Sequence, residues 1–387
     1  MKQRRENFPW LRPLAAWFSR AKRPMPWRGT RDPYRVWISE IMLQQTQVAT
    51  VIPYYERFLA KFPSVAALAA APLDEVLKLW AGLGYYSRAR NLHRGARVII
   101  ERFGGELPAA PETIREIPGI GDYTAGAILS MAFNLPEALV DGNVARVLSR
   151  VLLLDGDWRG GAGKRAVWSA ARELVAGAAR AGLHPGDFNE ALMELGATVC
   201  SPRAPECGQC PIRTHCAARK KGVQSDYPQL KERGESPEWH LRAWIVRGTK
   251  GRILFAQRGA EGLFGGMWEL PTERVDSTRI PLTPRAGTRV GPLPEGEGNG
   301  RASCAPIAFA RVTQVLSHRV LKIDASEIGL ADWRKRLPND REFVCWSGVY
   351  SKFKWLNPRE AQRGALALPA AQSKILALCA EKTGLFD

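Results

Sequence analysis

The sequence contains no apolar run that approaches the roughly 20 residues of a membrane-spanning helix. No apolar segment follows its basic start, so no secretory signal is visible; we expect a cytoplasmic protein, nucleoid-associated if bacterial. Acidic residues are scarce beside basic ones, since 38 Asp and Glu oppose 56 Lys and Arg and leave a formal net charge of +18. Such a chain is expected to bind a polyanion. Nucleic acid is the commonest one, and an acidic membrane surface is the competing partner.

Cysteine is too scarce and too unevenly placed for a disulfide framework. There are seven, an odd number, and four of them lie within residues 200–216, which favours a metal site in a reducing compartment. Their spacing is C-x6-C-x2-C-x5-C, formed by Cys200, Cys207, Cys210 and Cys216. Zinc and iron–sulfur clusters both take four thiolates, but zinc sites usually pair two short CxxC segments, and only one is present here.

Hydrophobic periodicity divides the chain into a helical part and a mixed part. The helical part extends from residue 8 to about 216, with predicted helices at 37–52, 86–103, 144–154, 164–180 and 187–198. Strand-like alternation follows, with a hairpin around residues 241–256, strand candidates at 307–323 and 342–349, and a closing helix at 369–382. Residues 274–303 are interpreted only as a long loop.

These patterns predict two domains joined by a polar linker. The first is mostly α, covers residues 1–216 and includes the cysteine loop at 200–216. The linker covers residues 217–239, which are rich in Lys, Arg, Gln, Ser and Pro. An α+β domain then covers residues 240–387.

A glycine-containing turn, Pro118-Gly119-Ile120-Gly121, separates two predicted helices. Without a Cβ, Gly119 and Gly121 let the backbone approach another surface closely. The helix that follows would direct free N–H groups and its positive dipole end outward, which suits a phosphate. An ordinary tight turn between helices is the alternative interpretation.

Two carboxylates stand out as candidates for acid–base chemistry. Glu40 has no cation at helical spacing, so burial would raise its pKa toward roughly 6–7 and keep a proton available. Asp141 ends an apolar run just before a predicted helix, where the helix dipole would lower its pKa and favour permanent ionisation. A boundary Glu and an ordinary helix cap are the alternatives.

Four separated motifs resemble those of MutY-type adenine-DNA glycosylases of the helix-hairpin-helix superfamily. They are SEIMLQQT at residues 39–46, PGIG at 118–121, VDGNVAR at 140–146 and the four-cysteine spacing. The resemblance implies a helix-hairpin-helix glycosylase domain with a [4Fe–4S] loop. It implies a monomeric enzyme that excises adenine opposite 8-oxoguanine or guanine in double-stranded DNA.

The resemblance also implies roles for particular residues. Glu40 would protonate adenine, while Asp141, accompanied by Asn143, would stabilise the cationic sugar or attack it covalently. Tyr123 stands where strand-cutting relatives carry a lysine, so a Schiff base with the sugar is excluded and the enzyme is monofunctional. Further matching positions are Gln45 and Tyr85 as intercalating residues, Met25, Trp27, Arg28 and Glu190 near the flipped adenine, and Gly119 and Gly121 at phosphate.

The C-terminal half resembles a Nudix-like domain through GLFGGMWELP at residues 262–271. The acidic run of the type R-E-x-x-E-E is missing after it, so a recognition role is favoured over diphosphate hydrolysis. Ser317 and His318 match a Phe-Ser-His segment that reads 8-oxoguanine in the family, with Leu316 in place of the aromatic residue.

Two other functions remain as alternatives. An endonuclease III-like pyrimidine or thymine glycosylase would share the helical motifs, but Tyr123 and the C-terminal half argue against it. A non-enzymatic iron–sulfur DNA-binding regulator would give no reason for Glu40 and Asp141.

Overall fold

The computed structural model describes residues 8–231, 236–259, 262–275, 308–316, 319–330, 333, 344–345 and 348–383. The chain divides into two units: residues up to 70 together with 91–233 form the first, and residues 71–90 together with 234–387 form the second. No helix in the described part of the chain is long and apolar enough to cross a membrane.

Helices make up the regular secondary structure of the described residues up to 231. In chain order they are α1 (Leu11–Ala21), α2 (Pro33–Leu43), α3 (Val48–Lys61), α4 (Val65–Ala70), α5 (Leu73–Trp80), α6 (Ser87–Phe103), α7 (Pro111–Ile114), α8 (Asp122–Met131), α9 (Gly142–Leu152), α10 (Gly161–Arg180), α11 (Pro185–Thr198) and α12 (Ala217–Lys221). Of these, α5 lies in the second unit and α6 begins there. Residues 124–131 of α8 are all buried, and α2 and α11 both pack against this helix. The helices predicted after residue 86 are confirmed.

The predicted single helix over residues 37–52 is wrong, because the helix is interrupted between α2 and α3. Residues 44–47 form a turn in which the Thr46 N–H donates to the Leu43 carbonyl. Gln45 in this turn has a left-handed backbone with φ of 59°. The apolar spacing continues through the break, so periodicity alone could not reveal it.

Residues 217–231, which composition assigns to the linker, are fixed to the first unit. After α12 a 3₁₀ turn spans Gln224–Asp226. The Tyr227 hydroxyl then donates to the Asp155 carboxylate at 2.8 Å, and the Gln229 amide oxygen accepts from the Gly156 N–H at 2.9 Å.

Among its described residues, the second unit contains a mixed sheet of eight strands. Its strands are β1 (Glu238–Arg247), β2 (Ile253–Arg258), β3 (Trp268–Glu269), β4 (Thr272–Arg274), β5 (Ala308–Leu316), β6 (Arg319–Gly329), β7 (Val344–Cys345) and β8 (Gly348–Leu356). The order is β5-β6-β1-β2-β8-β7, with β3 paired to β2 and β4 to β1; β1 and β6 run parallel and the other pairs antiparallel.

The hairpin, the strand candidate at 307–323 and the closing helix are confirmed, whereas residues 342–349, predicted as one strand, include β7 and the start of β8, which pair antiparallel. The hairpin consists of β1 and β2, and its turn places Lys250 and Gly251 at positive φ. The strand candidate at 307–323 is the antiparallel pair β5 and β6. After β8 come a short helix, α13 (Pro358–Glu360), a π-helical turn (Ala361–Ala365) and the predicted closing helix, α14 (Ala370–Thr383), which packs on β5.

Candidate active site

A cavity of about 560 Å³ lies among the helices of the first unit. Its wall consists of the turn before α2, α2 itself, the N-terminal ends of α8 and α9, and α11. The volume is in the range of small-molecule sites, which are roughly 300–1,000 Å³. The predicted residues that line it are Met25, Trp27, Arg28, Glu40, Gln45, Tyr123, Asp141, Asn143 and Glu190.

Glu40 is a buried carboxyl group in the wall of this cavity. It lies on α2, which begins at Pro33 behind the capping carboxylate of Asp32. Only 4% of Glu40 is exposed. Its pKa is raised to about 7, chiefly by burial and in smaller part by the negative charges of Glu190 and Asp141. The predicted direction is confirmed, and near neutral pH Glu40 exchanges a proton readily.

Tyr123, at the start of α8, is the direct partner of Glu40. Its hydroxyl donates to the Glu40 Oε2 at 2.5 Å and also lies 3.7 Å from the Met193 sulfur. Burial and the neighbouring carboxylates raise the pKa of Tyr123 well above its usual value, so the hydroxyl keeps its proton. This hydrogen bond stabilises the ionised carboxylate and lowers the pKa of Glu40 against the effect of burial.

Asp141 caps the N-terminus of α9. Its Oδ1 accepts from the Val144 N–H at 2.7 Å, and its Oδ2 accepts from the Asn143 amide at 2.9 Å. The predicted lowering of its pKa is wrong: burial raises the pKa, although both hydrogen bonds and the charge of Arg146 oppose the rise. Local sequence shows a helix start, whereas the burial comes from packing between distant segments.

Arg146 connects Asn143 with the cysteine loop. Its guanidinium donates to the Asn143 Oδ1 at 2.8 Å, the Gly196 carbonyl at 2.8 Å and the Cys200 carbonyl at 2.7 Å. A Cβ on Gly196 would lie 2.5 Å from the Asn143 Cβ, so glycine is needed where α11 meets α9. Sequence reasoning missed the role of Arg146; its signal was the spacing of three residues from Asn143 on one helix.

A chain of alternating charges lines another side of the cavity. The Arg28 guanidinium donates to Glu190 and Glu194, each at 3.1 Å, and Arg23 donates to Glu194 at 2.6 Å. Burial alone would raise the pKa of Glu194, but the hydrogen bond from Arg23 and the positive charges of Arg28 and Arg23 leave it lowered. Burial raises the pKa of Glu190.

The sequence predicted only two members of this row of charged side chains, Arg28 and Glu190. It missed Arg23 and Glu194, although Glu194 follows Glu190 by four residues and therefore shares its helix face.

The two predicted intercalating residues both have left-handed backbones. Gln45 is exposed at the cavity with φ of 59°. Tyr85 has φ of 47° and is 39% exposed, in the second unit. Ser317 and His318 lie outside the described residues, whereas Leu316, just before them, is half-buried against the core of the second unit.

The glycines of the predicted hairpin differ in their surroundings. Gly119 has φ of 87°, and an added Cβ would lie 2.9 Å from the Asn91 Cβ, so the fold itself requires glycine there. Gly121 caps α8 with an extended backbone, and an added Cβ would meet nothing within 4 Å. The space beside Gly121 is therefore open to an outside group.

The four predicted ligand cysteines line one small cavity near α9, α11 and α12. The Arg150 guanidinium donates to the Cys200 sulfur at 3.4 Å, and the Gln224 amide donates to the Cys207 sulfur at 3.7 Å. In the part of the chain that the structure describes, no other Cys, His, Asp or Glu lines this cavity. As placed, the described side chains of these types form no group of three or more that could hold a metal ion.

Four cysteine thiols are a donor set that suits either a zinc ion or an iron–sulfur cluster. A zinc ion needs sulfurs about 3.8 Å apart, because each Zn–S bond is about 2.3 Å long. A four-iron cluster keeps its cysteine ligands farther apart, because iron and sulfide atoms lie between them. N–H donors aimed at sulfur also stabilise bound thiolates.

In the second unit, the buried Glu269 is engaged within the protein. Its Oε1 accepts from Arg258 and from the Tyr350 hydroxyl, each at 2.8 Å. Glu273 is half exposed and lies 3.8 Å from Arg242. Of these two carboxylates, Glu269 is therefore already bound by Arg258 and Tyr350, whereas Glu273 remains accessible to solvent.

Two family models match the chain. Residues 38–173 match the HhH-GPD superfamily of base excision DNA repair proteins, and residues 242–378 match the NUDIX domain. The helical half is thus of the helix-hairpin-helix repair class, and the C-terminal half is Nudix-like.

Comparison with whole proteins narrows this class. The adenine DNA glycosylase of Homo sapiens is 39% identical over 73% of this chain and 61% of that protein. The adenine DNA glycosylase of Schizosaccharomyces pombe is 33% identical over 67% of this chain and 68% of that protein. A solved structure of a thermostable thymine-DNA glycosylase is 32% identical, with a TM-score of 0.47 over 55% of this chain and 95% of that one.

The chain belongs to the adenine DNA glycosylase family. It spans about three fifths of the length of the mammalian relatives that it matches.

Proposed function

We propose that this protein is a monofunctional DNA glycosylase that hydrolyses the N-glycosidic bond of adenine mispaired with 8-oxoguanine or guanine. The observation that carries the proposal is a pair of carboxyl groups in the wall of one cavity, Glu40 buried and Asp141 half-buried. Glu40 has a pKa of about 7, and Asp141 accepts hydrogen bonds on both oxygens. Glycoside cleavage uses such a pair, one as a proton donor and the other as an anion beside the sugar.

The reaction breaks the bond between the sugar C1′ and the adenine nitrogen. The electron pair of that bond leaves with the base, and the proton of Glu40 neutralises it. Asp141 supplies negative charge beside the positively charged sugar, and its contacts with Val144 and Asn143 fix its position. Water then adds to C1′ and gives up one proton, which restores the proton that Glu40 donated, so the products are free adenine and an abasic site.

Arg28 and Glu190 are proposed to recognise the edge of the flipped adenine. A base must leave the stack to reach a buried pocket, where its polar edge is read by hydrogen bonds. The ion pair between Arg28 and Glu190 supplies both donors and acceptors. Gln45 and Tyr85 are proposed to fill the space that the base leaves in the duplex, and Trp27 to pack beside the base.

Tyr123 makes the enzyme monofunctional. A glycosylase that also cuts the strand needs an amine that forms a Schiff base with the sugar. The phenol of Tyr123 lacks this chemistry and is bound to Glu40. The product is therefore an abasic site in an intact strand.

A [4Fe–4S] cluster is proposed as the cofactor, bound by Cys200, Cys207, Cys210 and Cys216. When bound, it gives this loop a fixed shape and presents the nearby basic side chains to DNA phosphates. The purified protein should be brown, absorb near about 400 nm and contain iron and sulfide. Zinc without iron, in protein purified under anaerobic conditions, would contradict this assignment.

Recognition of the opposite base is assigned to the Nudix-like half, with Ser317 and His318 as its readers. Excision on duplexes with 8-oxoguanine or guanine opposite adenine measures the preference. Ser317→Ala and His318→Ala should lower the rate on the first duplex more than on the second. Equal losses on both would oppose a role in reading 8-oxoguanine.

The test of the activity is single-turnover excision on a labelled duplex with adenine opposite 8-oxoguanine, with and without alkali afterwards. We expect strand cleavage only after alkali. Cleavage without alkali, or efficient borohydride trapping of the enzyme on DNA, would contradict monofunctional chemistry. Binding without excision would favour a regulator, and excision of thymine or oxidised pyrimidines would favour the endonuclease III branch.

The carboxyl pair is tested by Glu40→Gln and Asp141→Asn. Each should abolish excision while mismatch binding persists, because the amides keep the shape and lose the proton donor or the charge. Glu173→Gln, on the exposed face of α10, is the matched control and should excise at the wild-type rate. Near-normal single-turnover rates in either active-site variant would refute the assignment.

A further inference from the structure

Residues 71–90 belong to the unit formed by the C-terminal half of the chain. This segment includes α5 and the turn that carries Tyr85, the proposed intercalating residue. The turn has positive φ at three nearby positions: Gly82 at 104°, Gly84 at 72° and Tyr85 at 47°. A non-glycine residue adopts such a backbone only when its surroundings impose it. The neighbours of the turn therefore determine where Tyr85 points.

Two side chains shape the turn from within. The Arg88 guanidinium donates to the Leu83 and Gly84 carbonyls, each at 3.1 Å. The Trp80 indole N–H also donates to the Gly84 carbonyl at 3.1 Å. The Arg88 guanidinium lies 5.3 Å from the Trp80 ring centre and 5.4 Å from the Tyr85 ring centre, within range of cation–π attraction.

Contacts on both sides attach this segment to β2 and to the loop between β2 and β3. Before the turn, the Gln257 amide donates to the Asp74 carboxylate at 3.0 Å. After the turn, the Arg90 guanidinium donates to the Gly265 carbonyl at 2.7 Å and the Gly262 carbonyl at 3.4 Å. Charged groups take part on both sides, which makes these hydrogen bonds stronger than neutral ones.

Tyr86 makes a third connection beside the intercalating residue. Its hydroxyl accepts from the Gly82 N–H at 3.3 Å and lies 3.5 Å from the Leu368 carbonyl. Its ring packs edge-on against Phe264 with ring centres 6.5 Å apart. The side chain is 4% exposed, so the Tyr85 turn is in contact with two separate parts of the C-terminal half.

The loop between β2 and β3 contains the first residues of the GLFGGMWELP segment. The acidic run of a diphosphate hydrolase is missing after this segment. Its first residues, 262–265, instead direct backbone carbonyls to Arg90. We propose that this loop is a platform that positions the Tyr85 turn for insertion into DNA, and that Arg90 is the positioning residue. The C-terminal half would then govern insertion as well as base reading. This inference rests on the proposed function.

The test compares Arg90→Met with Arg97→Met. Both remove one positive charge from α6, but only Arg90 contacts the platform carbonyls, so their difference measures those contacts. The probe is a mismatched duplex with 2-aminopurine beside the mispair, whose fluorescence rises when a neighbouring base loses its stacking. We expect Arg90→Met to lower the fluorescence rise and the excision rate about tenfold relative to Arg97→Met, while thermal unfolding shows that both variants are folded at the assay temperature.

A double-mutant cycle with Tyr85→Ala separates positioning from a general structural effect. If Arg90 acts through Tyr85, Arg90→Met causes no further loss in the Tyr85→Ala background. Multiplying losses, or a wild-type fluorescence rise in Arg90→Met, would overturn the proposal. The fluorescence reports bound, unreacted DNA, so a wild-type protein that inserts Tyr85 without excising adenine would refute the proposed function and leave this inference standing.

Discussion

Glu40 is both buried and titratable near neutral pH. Burial makes its ionised form costly, because a buried carboxylate loses its contact with water. Its pKa of about 7 results from burial, and the Tyr123 hydrogen bond prevents a larger rise. As the proton donor, Glu40 is active below its pKa, so the single-turnover rate should fall about tenfold per pH unit above about pH 7. The rate should also fall in acid, where Asp141 becomes protonated.

Tyr123→Phe provides the check on this assignment. It removes the hydrogen bond that stabilises ionised Glu40, so the alkaline limb of the rate profile should move to higher pH. Rates measured from about pH 5 to about pH 9 decide the matter. An alkaline limb that stays in place would mean that another group donates the proton.

The same burial predicts a gain in stability for Glu40→Gln. The folded pKa of about 7 lies above the ordinary 4.5, so folded protein binds more protons and wild-type stability declines as pH rises between these values. The difference corresponds to about 3 kcal/mol. Glu40→Gln should therefore unfold at higher denaturant than wild type at about pH 8, and the gap should close near about pH 4. Equal midpoints at both would show that Glu40 ionises without cost.

Glu194 is predicted to position Arg28 without touching the base. Glu194→Gln would leave Arg28 with one carboxylate, Glu190, and weaken the pair with Arg23. Loss of these charge-assisted contacts should slow excision roughly tenfold or more. Arg23→Lys keeps both Glu194 and the positive charge at position 23, so this variant should retain most of the wild-type rate. Normal excision by Glu194→Gln would remove this residue from the site.

At the scale of elements, the two hairpin glycines form a matched pair. Gly119→Ala meets both a positive φ and the Asn91 side chain, so it should lower stability by about 1–3 kcal/mol. Gly121→Ala meets open space and should lower stability much less, only by the cost of a poorer cap residue. If a phosphate approaches at Gly121, this variant should nevertheless bind DNA more weakly. Unchanged affinity for DNA would show that the phosphate contact does not lie at Gly121.

The elements also show what the sequence could and could not predict. Periodicity located α6, α9, α10 and α11 because each buries one continuous apolar stripe. It failed at residues 44–47, where the apolar spacing persists through a turn whose Gln44 amide donates to the distant Thr124 hydroxyl at 3.3 Å. The motif resemblance predicted Glu40 and Asp141 as residues of one site, and both line the same cavity. It could not show the grouping of residues 71–90 with the C-terminal half, which depends on contacts nearly 200 positions apart, such as Asp74 with Gln257.

At the scale of the whole molecule, the net charge of +18 is the dominant property. Each phosphate that a basic side chain neutralises releases a counterion, so affinity for duplex DNA should fall steeply with salt. Self-repulsion among so many like charges also favours a bound polyanion over the free state.

This argument gives a prediction that separates binding from chemistry. Four phosphate contacts alone would give a slope of about −3.6 for log affinity against log salt, or about a hundredfold loss over a fourfold increase. The single-turnover rate at saturating enzyme should change far less, because Glu40 and Asp141 lie in a buried cavity where salt screens little. Fluorescence anisotropy and excision measured on one duplex in the same salt series supply both quantities. A slope near zero would mean that the positive charge serves another partner. A saturated rate that falls as steeply as the affinity would place the decisive electrostatics at the surface instead of in the cavity.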